Sequence, residues 1–559
     1  MRFFVFAPAF CFLLFTTHPV EPANFDREPG YSYPVDSKPY TPKPHKPRQY
    51  VLYRAVDPII VDGSLNEKSW AYAEWTNTFD HILSTRGYTK PFLATRAKML
   101  WDSERLYIGA EMEEPNLVGH AVPPRVTVIC VDNDFEIFID TDGDAQNYIE
   151  LQFNVLGSVQ DIFFRKEYQR GGIPMGWPQH LYDRPYSPPW ELAGLRAAVR
   201  AEGSINYPLD TDRGWTLEVS IPLKSLRETS PGGEGLAREG SCMRVGFSRV
   251  EYPGPKKEWP IVDWEHRGAC WDWTWTPNLA YDMHVPECWG RVLLSGRTVL
   301  DYKDETLEHA FPFIQPPVLS RKPDIGSMVK IRGGTYTVGP DITDPEDSPA
   351  GAVTVNDFFI DRYEVTIVEF ARFLNAGGND SHYMADMADP DFCGIVKRGA
   401  GNYAVVPGKE YYPIVYVRPE SAQAYASWAG KRLPGEYEWE IAARGRDMRL
   451  YPWGDQPPEP GLANYDHHVG HTAPVGSYEK GKTPEGVYDM AGNVWELLEG
   501  NWTEYPWGRK IAGMPEGRQL MRGGSWVTPA ANIGSTYRSA MKYSGWAAMV
   551  GFRCAKDAR

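Results

Sequence analysis

The chain has 559 residues, a formal net charge of −15, and 42% hydrophobic against 23% charged residues. That length exceeds one ordinary core and implies several domains, while the acidic balance without any Lys/Arg run excludes a nonspecific nucleic-acid binder, since a polyanion is repelled over most of the surface. The 52 Gly and 48 Pro beside 20 Trp and 32 Tyr point to loop-rich, β-leaning architecture rather than long helices.

The first element is an apolar run, Phe3 to Phe15, behind a single Arg. It has the length of a signal peptide and is too short to span a bilayer comfortably. A signal peptide over 1–23 is therefore expected, with a secreted, periplasmic or cell-surface destination. Cys11 within "PAFC" is a poor lipid-attachment signal, so no lipid anchor is expected, and no other segment is apolar enough for a membrane span. Residues 24–49 form an extended Pro-rich leader, and a second Pro-rich linker covers 297–327. Beyond the signal there are six cysteines: Cys130, Cys242, Cys270, Cys288, Cys393 and Cys554. An even count in an exported chain permits disulfides, and one or two bridges are expected between Cys130 and Cys288.

Between the leader and the linker, residues 50–296 read as antiparallel β. "TRAKMLWDSERLYIGAEM" alternates apolar and polar residues around "WDSER", which predicts a hairpin. "DFEIFIDTDGDAQNYIELQFNVLGSVQDIFF" supplies three further strands, and "WTLEVSIPLKSL" and "MRVGFSRVEY" continue the rhythm. Many short strands with turn signals predict a sandwich. The loop "DTDGD" presents Asp140, Asp142 and Asp144 at alternate positions but departs from an EF-hand loop at its glycine, so it reads as a β-turn with solvated acids. "DPIIVDGSLNEKSW", the "LWDSERLYIG" hairpin, "FEIFIDTDGD", "WTLEVSIPL" and "VPECWGRVLL", in that order, resemble the family 9 carbohydrate-binding modules. The resemblance implies a β-sandwich serving exported or cell-surface proteins, with a glycan or polysaccharide as partner. Sugar sites there use aromatic platforms, since a sugar ring face packs on an indole while hydroxyls reach polar groups at the rim. In "WDWTWTP", Trp271, Trp273 and Trp275 alternate and share a face, which suits either a platform or the core.

From Met328 the elements change. "VNDFFIDRYEVTIVEFARFLNAGG" passes from a strand into an amphipathic helix ended by Gly377, and "RPESAQAYASWAGKRLPGEYEWEIAARG" predicts two more helices. With "LYPWGD", "EGVYDMAGNVWELLEGNW", "LMRGGSW" and "VGFRCA", these stretches resemble the formylglycine-generating enzyme family, the sulfatase-modifying factor domain, over 328–559. The resemblance implies a compact α+β domain related to C-type lectins, with calcium-stabilised loops. Gly435 stands in place of the family's usual threonine, which changes a helix cap.

Enzymes of that family oxidise a client cysteine to formylglycine at a Cu(I) ion held by two thiolates, the soft ligands such an ion selects. After "GGSW" the thiols would fall near Thr528 and near Ile533 or Gly534, and no Cys, His or Met is there. Ser525 and Trp495 match pocket residues, so the expectation is a vestigial pocket of Ser525, Trp495 and Thr528, with no copper. Matched residue by residue, "YDMAGNVWE" implies structural calcium on the carboxylates of Asp489 and Glu496 and the carbonyls of Gly492 and Val494, hard oxygens that suit this ion. A neighbouring site would use Asn464 and Tyr465. His467, His468 and His471 of "DHHVGH" form no expected chelating set.

The leading expectation is an exported glycan-binding protein with a non-catalytic lectin-like domain, whose partners include a cell-surface or secreted protein. An enzyme with different chemistry in the same pocket is one alternative. A ligand-display scaffold is another, because "WVTPAANIGSTYRSAMKYSGWAAMVGFR" is similar to the variable ends of retroelement-diversified lectin folds.

Overall fold

The computed structural model describes residues 44–558, with interruptions of which the longest are 83–89, 121–128, 167–174, 176–189, 253–270, 302–312, 341–349, 379–389 and 508–516. The expected signal peptide, most of the leader, part of the linker, Cys130 and Cys270 lie outside the described residues.

The first unit is one sheet of 12 strands. They are β1 (Gln49–Arg54), β2 (Asp80–His81), β3 (Thr95–Trp101), β4 (Arg105–Glu113), β5 (Asp134–Asp140), β6 (Tyr148–Asn154), β7 (Val159–Phe164), β8 (Arg196–Glu202), β9 (Gly214–Pro222), β10 (Cys242–Glu251), β11 (Trp271–Thr274) and β12 (Gly290–Thr298). Their order is β7-β6-β5-β10-β12-β1-β3-β4-β9-β8, with β11 on β10 and β2 on β11. Alternate residues of a strand share a face. Thus Phe135, Ile137 and Ile139 of β5, Ile149, Leu151 and Phe153 of β6, and Ile108, Ala110 and Met112 of β4 meet in one buried cluster. The sheet curls over its own apolar face into a sandwich or half-barrel, as the sequence rhythm predicts. At the β3–β4 turn, Asp102 Oδ1 accepts the N–H groups of Glu104 and Arg105 at 2.7 and 2.8 Å. The parallel pairing of β1 with β12 ties the two ends of the unit together. Helices α1 (Lys68–Tyr72) and α2 (Leu223–Thr229) flank the sheet. The Trp70 indole N–H of α1 donates to Glu218 Oε1 at 2.9 Å.

Two expectations for this unit are corrected. Cys242 and Cys288 keep free thiols, so neither forms one of the expected bridges, while a Cys130–Cys270 pair lies outside the described residues. Cys288, Cys393 and Cys554 are wholly buried among apolar side chains, where a thiol behaves as a small hydrophobe. Of the acids of "DTDGD", Asp142 and Asp144 are half-buried, but Asp140 is not solvated: it is buried, and its two oxygens accept from the N–H groups of Gly143 and Ala145, both at 2.8 Å. One oxygen from each of Asp140, Asp142 and Asp144 lies within 4.8 Å of the others. Burial, then the Asp144 and Asp142 charges, hold the Asp140 carboxyl well above its usual range.

The second unit is an irregular α+β fold. Strands Met328–Ile331, Phe358–Asp361 and Ala555–Asp557 pair its beginning with its end, and Trp495–Asn501 lies between Arg518–Arg522 and Val550–Gly551 in a second sheet. Its helices are α3 (Ile367–Asn375), α4 (Pro390–Cys393), α5 (Pro419–Trp428) and α6 (Glu436–Arg444). α3 begins with a capping box, in which Thr366 N–H and Oγ1 both donate to Glu369 Oε2, and it buries Ile367, Phe370, Ala371, Phe373 and Leu374. At α6 only half of that motif remains: Gly435 N–H donates to Glu438 Oε2 at 2.9 Å, and glycine has no hydroxyl to return the bond.

The two units share a core. Leu279, Ala280, Val285 and Cys288 of the first belong to the buried cluster of Phe370, Trp495, Trp526 and Phe552, and Ala548 N–H donates to Leu279 O at 3.2 Å. No helix of the described residues is long and apolar enough to cross a membrane.

Candidate functional site

The residues singled out in the second unit converge on the turn after Arg522. Gly523 and Gly524 take φ of +99° and +73° in succession, and a Cβ on Gly524 would lie 2.6 Å from Ile533 Cγ2. Only glycine makes that turn without strain. Ser525 and Thr528 follow, both fully buried, with their hydroxyls 3.1 Å apart; Thr528 Oγ1 also accepts Ser525 N–H at 3.0 Å. Ile533 is buried beside Tyr465 and Ala491. Trp495 is buried, its ring 6.0 Å from that of Tyr537. The two positions expected to hold copper thiols thus present a hydroxyl already paired with its neighbour and an alkyl group.

This turn is roofed by the first unit. Asp466 N–H donates to Thr528 O and His467 N–H to Trp526 O, at 2.9 and 2.8 Å. Asp466 Oδ1 pairs with Arg244 Nη2 at 2.9 Å and with Arg291 Nη2 at 2.8 Å, both from the sandwich. His467 Nε2 donates to Glu287 O at 2.8 Å, and burial, reinforced by Arg291, holds its imidazole neutral. His468 and His471 turn to the carbonyls of Tyr465 and Thr472. The end of the leader joins this roof, with His45 N–H donating to Gly470 O at 2.7 Å.

In the "YDMAGNVWE" loop, Asp489, Gly492 and Asn493 all take positive φ, and a Cβ on Gly492 would lie 2.2 Å from Asn464 O. Asp489 Oδ2 accepts Gly476 N–H at 2.7 Å, and burial pushes its carboxyl up to about 6. Asn464 Nδ2 donates to His471 O and Asn493 Oδ1, and Tyr465 O accepts from His468. Glu496 differs from the expected ligand role. Its Oε1 and Oε2 receive Arg553 Nη2 and Nε, both at 2.6 Å, and Oε2 also accepts the Trp439 indole N–H at 2.7 Å. A guanidinium already supplies the charge that a metal would bring there.

The three indoles, which suited either a platform or the core, divide between the two. Trp273 and Trp275 are buried core residues, and Trp275 packs against Gly290, where a Cβ would meet its ring at 2.3 Å. Only Trp271 lies at the rim, with exposed Phe92 edge-on to it at 4.9 Å.

Sequence reading missed a polar row on the outer face of the sandwich. Gln160, Gln152, Glu136, Ser248 and Thr274 stand opposite one another across β7, β6, β5, β10 and β11, and all are buried. Gln152 Nε2 donates to Glu136 Oε1 at 3.1 Å and to Glu150 Oε1 at 2.6 Å. Burial, then the Glu136 charge, raises the Glu150 carboxyl well above its usual range. The signal lay in "DFEIFID" and "YIELQFN", where acids and amides alternate with core residues. Alternation alone reads as a solvated face.

Residues 315–558 match the sulfatase-modifying factor enzyme 1-like domain family, and residues 61–162 match the carbohydrate family 9 binding domain-like family. The serine/threonine-protein kinase Pkn1 of Chlamydia trachomatis is 33% identical over 43% of this chain and 39% of its own length, so the chain spans about two fifths of that relative. The formylglycine-generating enzyme of Thermomonospora curvata is 33% identical over 41% of this chain and 93% of its own. Among solved structures, a family 9 carbohydrate-binding module from Caldicellulosiruptor kristjanssonii in complex with glucose is 17% identical over 44% of this chain and 97% of that one, with a TM-score of 0.28. Coverage of nearly the whole Thermomonospora enzyme at that identity, on a domain with the motif order described above, makes this chain a member of the formylglycine-generating enzyme family, joined to a family 9-like carbohydrate-binding unit.

Proposed function

We propose that this is an exported glycan-binding protein whose sandwich holds a saccharide and whose C-terminal domain does not carry out copper-dependent cysteine oxidation. The observation that supports the second part is the closed hydroxyl pair of Ser525 and Thr528 beside buried Ile533. A hydroxyl is no substitute for a soft thiolate, and no step through copper is derived. The family 9-like unit supports the first part, and the apolar run Phe3–Phe15 supports export.

The test uses the full chain. It is expected to take no Cu(I) from a thiolate-strength competitor, to consume no oxygen with a cysteine-containing sulfatase peptide, and to bind saccharides on a glycan array. Formylglycine in the peptide would overturn the non-catalytic part. An array silent throughout would leave a scaffold.

A further inference from the structure

We propose that Glu114 and Glu251 share one proton at one end of the sandwich and so form an alkaline-sensitive latch across three strands. This device operates whatever the sandwich binds. Glu251 is the last residue of β10, Glu114 follows the last residue of β4, and Asn133 precedes the first residue of β5. Asn133 Nδ2 donates to Glu114 Oε2 and to Glu251 Oε1, both at 3.0 Å. Arg249 Nη2 donates to Glu114 Oε2 at 3.0 Å and to Glu251 Oε2 at 2.7 Å. Two carboxyls that share two donor nitrogens lie within about 5 Å of each other.

Charge counting then calls for the proton. Glu114, Arg249 and Glu251 are 3%, 1% and 3% exposed. One guanidinium balances one carboxylate. A second carboxylate would add an unbalanced buried charge beside a like charge, and both are costly in a low dielectric. A single shared proton removes both costs. Burial, opposed by Arg249 and reinforced by the Glu114 charge, pushes the Glu251 carboxyl up to about 8.

The surrounding elements bring polar and aromatic groups rather than a second cation. From β3, Thr95 Oγ1 accepts Arg249 Nη1 at 3.0 Å. From β11, Trp271 and Trp273 stand opposite Glu251 and Arg249 in register. Asp134 of β5 and Asp272 of β11 stand opposite Val250 and therefore face the other side of the sheet. Of the acids next to the pair in sequence, Asp132 meets His120 at 2.9 Å and Glu113 accepts the Ala94 N–H at 3.0 Å.

The latch ties down more than its own side chains. Tyr252 N–H donates to Asn133 Oδ1 and Asn116 N–H to Glu114 Oε1, both at 2.9 Å, so the chain leaving β10 and the chain leaving β4 are both held. The Arg249 guanidinium lies 5.3 Å from the centre of the Trp273 ring, on which exposed Phe92 stands edge-on at 5.1 Å. Loss of the proton sets two like charges on the same donors and loosens these ties. The folded value near 8 lies above the unfolded value of 4.5, so the folded state holds the proton more tightly. The stabilisation is fully present below about 4.5 and is lost as pH rises through about 8, with the two carboxyls titrating as one unit.

The experiment follows the full chain from about pH 6 to about pH 9.5 by infrared difference spectra of protonated carboxyl groups, tryptophan fluorescence and urea unfolding. The natural chain is expected to lose a protonated-carboxyl band with a midpoint near 8, together with a drop in its urea midpoint and a change in indole emission. Glu251→Gln keeps the shape of the protonated side chain, so it should lack that step and hold its urea midpoint on the alkaline side. Glu114→Gln removes the like charge and should move the step down by at least about one pH unit, a tenfold change in proton affinity. A natural chain flat in all three readouts between about pH 7 and about pH 9 would overturn the proposal. So would an unmoved step in Glu114→Gln, which would assign the raised value to burial alone. A step that survives in Glu251→Gln would put the proton on another group and overturn it as well.

Discussion

The outer face of the sandwich and the turn after Arg522 are both buried and polar, yet their accounts close differently. At the turn, the Ser525 and Thr528 hydroxyls satisfy each other and the backbone, and the neighbouring Glu496 carboxylate is saturated by Arg553 and Trp439. On the sandwich, Ser248, Thr274, Gln152 and Glu150 each keep an oxygen without a hydrogen-bond partner. Polarity that closes on itself stabilises a fold, because removing one partner strands the other in a low dielectric. Polarity left open costs stability, because the buried group has lost water and gained no partner. The contrast holds for these two groups of residues and not for whole domains, since Asn464 Oδ1, Arg522 Nε and Ser535 Oγ of the C-terminal domain are also buried without a hydrogen-bond partner.

Substitutions in the two regions sharpen that contrast. The largest effect is expected for Glu496→Ala, which leaves the Arg553 guanidinium buried without its counter-charge. A loss of about 3–5 kcal/mol is expected, read by urea unfolding of the full chain. A loss below about 1 kcal/mol would show that the pair is not closed and would return Glu496 to the calcium reading.

Asp489 gives a smaller, pH-dependent effect. Its folded carboxyl, near 6, lies above its unfolded value of 3.8, so the folded state holds the proton more tightly. Its contribution is fully present below about 4 and is lost as pH rises towards 6. Asp489→Asn should therefore gain on the natural chain over that window, by about 3 kcal/mol at most, in paired thermal melts. We propose that calcium bound by Asp489 and the carbonyls of Gly492 and Val494 reverses this order at neutral pH. If so, the ion raises the melting temperature of the natural chain, a chelator lowers it, and the variant responds to neither. Identical melts with calcium and with chelator would remove the metal from this loop.

Thr528→Val takes from Ser525 a hydroxyl partner and an acceptor for its N–H. It should cost about 1 kcal/mol and leave oxygen consumption and glycan binding unchanged. The smallest effect belongs to Thr274→Val on the open face. Replacing an unpartnered buried hydroxyl with a methyl is expected to be neutral or stabilising by a few tenths of a kcal/mol. A destabilisation as large as that of Thr528→Val would mean that the two faces do not differ.

Much of this was legible in the chain itself. The α3 capping box follows from Thr366 and Glu369 at the right spacing. The β3–β4 hairpin follows from "WDSER" between alternating runs, and the incomplete α6 cap from Gly435. The three tryptophans of "WDWTWTP" were not separable, because alternation says that residues share a face and not what covers that face. The same limit applies to the loop "DTDGD", whose acids read as solvated while the fold buries Asp140.

Local spacing and side-chain chemistry thus determined the strands, the caps, the glycine turn at 523–524 and the lack of thiols at 528 and 533, since each depends on residues a few positions apart. Tertiary structure alone decided which polar groups find partners. Asp466 meets Arg244 and Arg291 across more than 170 residues, Glu496 meets Arg553 from the far end of its domain, and Glu136 lies opposite Ser248 through a strand pairing with more than a hundred residues between them. A hydrogen bond is satisfied or left open by what the fold brings within about 3 Å, and no short stretch of sequence records that distance.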